Sequence, residues 1–186
     1  MPAIPLYAFV FSGMKKQERF LWAVEVMDIK PDDTILEVGC GAGIAVTLVA
    51  IQLKRGTITA IDQSEAMIKK ASIRNAAIVA SGKAIFIPAA LAAATLKQKY
   101  TKIFAFNVSI FWKDASEELC TVKKLLAPQG KLYIFHQPPP GTAVAFNKTI
   151  AATVKANLEK EGFNVVDIQH KRMIPAPVVC ITSSVA

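Results

Sequence analysis

Residues 35–43 read Ile35-Leu36-Glu37-Val38-Gly39-Cys40-Gly41-Ala42-Gly43, an apolar run of strand length that ends in a turn with glycine at every second position. The following residues, 44–54, are apolar enough for a buried helix, so the stretch predicts strand, tight turn and helix in direct succession. Glycine allows positive φ and lets a backbone approach a ligand closely. The first N–H groups of the helix behind the turn have no partner within it, and they suit a carboxylate or a phosphate. Taken alone, such a turn is either a structural corner or a ligand cradle, and its surroundings decide between them.

Working outward, β-rich runs alternate with helical patterns, the order of βαβ units that feed a mostly parallel sheet. Upstream, a helix is expected over 15–29, with Phe20, Leu21, Val24 and Met27 at helical spacing, and Lys30-Pro31-Asp32-Asp33 ends it. Strands are expected at 34–38, 57–61, 84–87, 102–108 and 131–135. The helix that starts at Ile44 is expected to stop at Arg55-Gly56, with Gly56 in the left-handed closing conformation. Ser64 reads as the N-cap of a helix reaching residue 76. A helix over 116–126 turns Leu119, Val122, Leu125 and Leu126 inward, and Pro128-Gln129-Gly130 forms a turn before the next strand. Pro138-Pro139-Pro140-Gly141 is a stiff connection to a helix over 143–160, which Gly162 closes. Residues 164–170 and 178–183 finish the chain as an antiparallel pair. The expected fold is α/β: a three-layer, doubly wound, mostly parallel sheet of seven strands with an antiparallel terminal strand. It occupies one domain over residues 1–186, of which 1–30 form an N-terminal arm and helix.

The spacing of the glycines separates two ligand classes. A dinucleotide fingerprint, GxGxxG, needs its third glycine at position 44, which is Ile44. The pattern here is GxGxG, with Glu37 two residues before the first glycine. In these residues the chain resembles the class I S-adenosylmethionine-dependent methyltransferases, whose first motif E/D-x-G-x-G-x-G is matched by Glu37, Gly39, Gly41 and Gly43. The resemblance runs from about Phe20 to Phe135 and implies a Rossmann-like methyltransferase fold with S-adenosylmethionine as cofactor. A second acid, Asp62 in Ile61-Asp62-Gln63-Ser64, stands about 20 residues past the turn, where a carboxylate accepts ribose hydroxyls. Pro128-Gln129-Gly130-Lys131-Leu132 is similar to the family's turn before strand five, with Gln129 in place of a glycine. The resemblance implies cofactor contacts at Glu37, Gly39, Cys40, Gly41, Gly43, Asp62, Gln63 and Met67, the last packed on the adenine ring or in the plain core.

Two positions depart from the family pattern. The acid that accepts the adenine amine after strand three is replaced by Ala90, so a backbone contact or an Asp from elsewhere must serve. After strand four the chain reads Phe104-Ala105-Phe106-Asn107-Val108, which leaves Asn107 to meet the ligand through its carbonyl. The same run lacks the Asn/Asp-Pro-Pro-Tyr/Phe sequence of enzymes of this fold that methylate base amines. Methyl transfer needs the acceptor in line with the sulfonium methyl, and a base only where the acceptor must lose a proton. Acceptor-side candidates are Trp112, Lys113 and Asp114 after strand four and His136 and Gln137 after strand five, with His136 the candidate base or a merely hydrogen-bonded strand end. The apolar arm, residues 4–11, reads as a lid over the site, as a surface packed on a neighbouring subunit, or as a frayed end.

The 186 residues carry a net charge of +8, and the basic residues fall in pairs on expected helices, which favours solvated faces over a nucleic-acid site. The hydrophobic share is 53%, yet the best candidate for a span, the uncharged stretch 38–53, is short of a spanning helix and begins with glycines, so no membrane span is expected. The apolar start lacks a basic residue before it and a cleavage site after it, and Cys40, Cys120 and Cys180 are widely spaced. A secretory signal, a disulfide framework and a metal site are therefore not expected, and a reducing cytoplasm is. The reading that results is a methyltransferase acting on a small molecule. An RNA or protein methyltransferase and a non-catalytic S-adenosylmethionine-binding protein are its alternatives.

Overall fold

The computed structural model describes residues 17–141 and 144–185. Seven strands form one sheet: β1 (Thr34–Val38), β2 (Thr57–Asp62), β3 (Ala84–Pro88), β4 (Tyr100–Phe106), β5 (Leu126–His136), β6 (Phe163–Lys171) and β7 (Val178–Val185). Their order across the sheet is β3-β2-β1-β4-β5-β7-β6. Strands β1 to β5 run parallel, and β7 lies antiparallel between β5 and β6. The winding reverses between β1 and β4, and it is at such a switch point, beyond the carboxyl ends of the strands, that open α/β sheets bind ligands.

Among the described residues, six α-helices cover the sheet: α1 (Glu18–Met27), α2 (Ile44–Gln52), α3 (Glu65–Arg74), the short α4 (Ala76–Ala80), α5 (Ser116–Leu125) and α6 (Val144–Lys160). Alternation along the strands sorts their side chains into two cores. Ile35, Ala60, Phe104 and Phe135 face α1, α2 and α3, whereas Leu36, Ile61, Ile103 and Ile134 face α5 and α6. This is the three-layer arrangement that the sequence predicts. No helix among the described residues is long and apolar enough to cross a membrane.

Four local differences from the sequence reading have physical causes. Helix α2 ends at Gln52 with Leu53 extended, and Gly56 is not left-handed. Gly56 instead meets the 31–33 loop, where a Cβ would lie 2.2 Å from the Asp33 carbonyl oxygen. On α1, Leu21 points outward while Trp22 is buried, its ring edge-on to Phe135 at 5.9 Å. The helix after β2 is interrupted at Asn75, whose side-chain amide donates to the carbonyls of Gly43 and Ala71. Finally, Pro128-Gln129-Gly130 lies inside β5 as a bulge: the pairing slips from Tyr100 with Leu126 to Lys102 with Lys131. Gln129 takes φ 62°, and a Cβ on Gly130 would sit 2.9 Å from the Tyr100 carbonyl.

Candidate active site

The three glycines after β1 all have positive φ, 71°, 51° and 72° at Gly39, Gly41 and Gly43, yet each meets different surroundings. Gly39 and Cys40 donate to the Ile61 carbonyl at 2.8 and 2.9 Å, which ties the turn to the end of β2. A Cβ on Gly39 would lie 2.5 Å from a methyl of Val108, so the chain after β4 passes directly over it. Gly41 faces open space. Gly43 is packed: a Cβ there would meet the Asn75 amide at 2.7 Å and Ala71 at 2.9 Å. The Asp62 carboxylate accepts from the Gly41 N–H and the Ser64 N–H, each at 2.9 Å, and so is held at the mouth of the turn. Ser64 caps α3 by accepting from the Met67 N–H.

Three adjoining cavities follow the carboxyl edge of the sheet. The first, of about 360 Å³, lies over Gly39, Asp62, Gln63, the 89–91 segment and the 108–110 segment, with Glu118 of α5 on its wall. Its charged lining groups are both acidic, which disfavours a diphosphate there. The second, of about 210 Å³, is bounded by Glu37, the 39–42 turn, Arg19, Phe20 and Phe106. Glu37 is buried, and its Oε2 has no hydrogen-bond partner. Burial pushes its carboxyl well above the usual range, and the nearby Asp62 carboxylate adds to the shift. The Arg19 guanidinium lies over the rings of Phe20 and Phe106 at 4.6 and 5.2 Å and donates to Gln137 Oε1 at 3.2 Å, while its Nε is buried without a partner. A buried acid and a half-buried cation that form no ion pair with each other border one small space. That arrangement fits the ammonium and carboxylate of an amino-acid moiety.

The third cavity, of about 520 Å³, is lined by Glu18, Arg19, His136, Gln137, Pro138 to Pro140 and the 173–175 loop. Asn107 borders all three. With φ 56° it turns the chain out of β4, and its N–H donates to the Phe135 carbonyl at 2.9 Å. Its side chain clasps the backbone of Gln137 in both directions, donating at 3.1 Å and accepting at 2.8 Å. This leaves the Asn107 side chain occupied. His136 packs edge-on against Trp112, centroids 4.7 Å apart, and burial lowers its pKa, which keeps the imidazole neutral at pH 7.

Of the residues singled out from sequence, the structure gathers Glu37, Gly39, Cys40, Gly41, Asp62, Gln63, Ala90, Asn107, His136 and Gln137 on the cavity walls. Cys40 is buried there, and desolvation together with the Glu37 and Asp62 charges raises its thiol far above the ordinary value, so it stays protonated. Gly43 and Met67 border none of these cavities: Gly43 is consumed by helix packing, and Met67 is half-buried on α3. Trp112 stands behind His136, Lys113 is exposed, and Asp114 accepts from Ser116 at the start of α5. The arm at 4–11 lies outside the described residues. Sequence reasoning missed Arg19 and Glu118. Each sits on a helix where spacing marks it as surface, and only the packing of that helix turns it to the cleft.

A family model described as a methyltransferase domain matches residues 36–132. The uncharacterized methyltransferase YdaC of Bacillus subtilis strain 168 is 30% identical over 172 residues, which is 87% of this chain and 88% of that protein. The fold is shared with an S-adenosylmethionine-dependent methyltransferase from Aquifex aeolicus, with TM-score 0.75, 16% identity, and 94% of this chain and 98% of that one covered. It is also shared with magnesium protoporphyrin IX methyltransferase of Synechocystis PCC 6803 with bound S-adenosylmethionine, with TM-score 0.67, 17% identity, and 100% and 86% covered. Because the matched span runs from β1 into β5, through the glycine turn and both acidic strand ends, the chain belongs to the class I S-adenosylmethionine-dependent methyltransferases, enzymes whose cofactor is S-adenosylmethionine.

Proposed function

We infer that the enzyme methylates a small molecule seated in the cavity between the end of β5, the Pro138 to Pro140 run and the 173–175 loop. The observation that carries this reading is continuity: that cavity meets the Glu37 cavity at Arg19 and Asn107. An acceptor in the one therefore faces the amino-acid end of a cofactor in the other. The volume of about 520 Å³ is that of a small-molecule site. Its proline, methionine and isoleucine walls suit an apolar body, with Glu18, Gln137 and His136 as polar contacts.

The cofactor supplies a methyl group on a positively charged sulfur. Glu37 accepts from its ammonium, Arg19 binds its carboxylate, and Asp62 accepts from the ribose hydroxyls. Asn107, clasped to Gln137, holds the ends of β4 and β5 at a fixed distance, so cofactor and acceptor meet in a set orientation, and orientation carries much of the rate. Neutral His136 is the group on the acceptor wall suited to take a proton from a hydroxyl or amine acceptor. Cys40, Cys120 and Cys180 are all free thiols, which supports a cytoplasmic setting.

The test is methyl transfer from labelled S-adenosylmethionine in a cell extract, followed by separation of small molecules from RNA and protein. Label in the small-molecule fraction is expected. Label in RNA or protein would favour the alternative that the net charge of +8 suggests. Tight cofactor binding with no label in any fraction would mean a binding protein.

A further inference from the structure

Glu118 is a carboxylate on the wall of the cavity over Gly39 and Asp62, with no partner among the described residues. It lies on the first turn of α5, half-buried, between Ala115 and Val122 in helical spacing, and both of those are core residues. Its neighbour Glu117 is exposed. Helix α5 packs on the 91–93 turn that follows β3, and Leu91, Ala115 and Leu119 belong to one buried cluster. Glu118 thus reaches the cavity beside the 89–91 segment, where Ala89, Ala90 and Leu91 offer no side-chain acceptor.

Asp62 and the 89–91 segment line the same cavity, so a nucleoside whose ribose bonded to Asp62 would have room for its base beside that segment. Among the edge atoms of adenine the exocyclic amine is the hydrogen-bond donor, and a carboxylate can only accept. We propose that Glu118 accepts the adenine amine of the cofactor and so reads its base, standing in for the acid that Ala90 replaces. The proposal rests on the cofactor reading of the same site.

The experiment measures binding of S-adenosylhomocysteine and of its analogue with purine in place of adenine, which lacks the amine, to the wild type, Glu118→Ala and Glu118→Gln. The wild type is expected to prefer the adenine ligand roughly tenfold or more, the worth of a hydrogen bond to a charged group. Glu118→Ala is expected to lose that preference by weakening the adenine ligand alone, and Glu118→Gln, whose amide oxygen still accepts, to keep part of it. Equal loss of both ligands, or an unchanged preference in Glu118→Ala, overturns the proposal and leaves the cofactor site standing. A wild type that binds neither ligand overturns the cofactor reading as well.

Discussion

Glu37 and Asp62 end neighbouring strands, yet Asp62 accepts two backbone N–H bonds while Glu37 has a buried oxygen with no partner. The difference predicts opposite uses. A carboxyl whose folded pKa is raised favours folding most below its unfolded pKa, and that contribution is lost as pH rises through the folded value. Glu37→Gln removes the penalty, so its Tm should exceed that of the wild type by a margin that grows with pH. The same variant should bind S-adenosylhomocysteine roughly tenfold or more weakly, since a charge-assisted bond is lost. Wild-type affinity should fall as pH is lowered through the raised Glu37 value, because the ammonium pairs with the ionised form, and Glu37→Gln should show no such fall. Arg19→Ala should weaken S-adenosylhomocysteine by a similar factor. Neither variant should change the affinity for 5′-methylthioadenosine, which has no amino-acid moiety; calorimetry with the two ligands checks both. Arg19 was not legible in the sequence because its partner Gln137 is distant in the chain, and only the docking of α1 brings them together. Glu37 and Asp62 were legible because their neighbours are local: a glycine turn and a strand end.

At the scale of the element, the glycine turn divides its work. Gly43 has no room for a side chain beside Asn75 and Ala71, whereas Gly41 faces open space. Both carry the cost of positive φ, about 1–2 kcal/mol for a non-glycine residue. Gly41→Ala should stop near that cost in urea denaturation yet lose cofactor affinity. Gly43→Ala should cost more, about 3 kcal/mol or beyond, because the helix contact must also give way. The motif in the sequence reads as three equivalent glycines, and only the packing of α3 against α2 distinguishes the last. Gly56 has the same moral: its place after a helix suggested a left-handed cap, but the 31–33 loop, brought there by the pairing of β1 and β2, is what excludes a side chain.

Across the whole molecule, stability and binding are placed at opposite ends of the sheet. Lys102 and Asp33, both largely buried, pair at 2.5 Å near the amino ends of β4 and β1, and Thr101 also donates to Asp33. Burial works against the Asp33 charge, but the bonds from Lys102, the Lys30 N–H and Thr101 outweigh it and hold its pKa below the usual range. Its contribution to stability is therefore present above the unfolded carboxylate pKa and lost as pH falls through the depressed value. Asp33→Ala should cost about 3 kcal/mol by stranding the lysine, with S-adenosylhomocysteine affinity unchanged at temperatures where the variant is folded. The sheet and its layers were legible in the sequence because alternating strands and helices leave few topologies, but the three cavities were not, since they arise where β1, β4, β5 and α1 converge. The central claim, a cofactor held between Glu37 and Asp62, is tested most directly by calorimetric titration of S-adenosylmethionine and S-adenosylhomocysteine into the wild type and Asp62→Ala. Binding of both ligands by the wild type, weakened by roughly 2–4 kcal/mol in the variant, is the predicted result; folded wild type that binds neither, or a variant that binds as well as the wild type, would contradict the account.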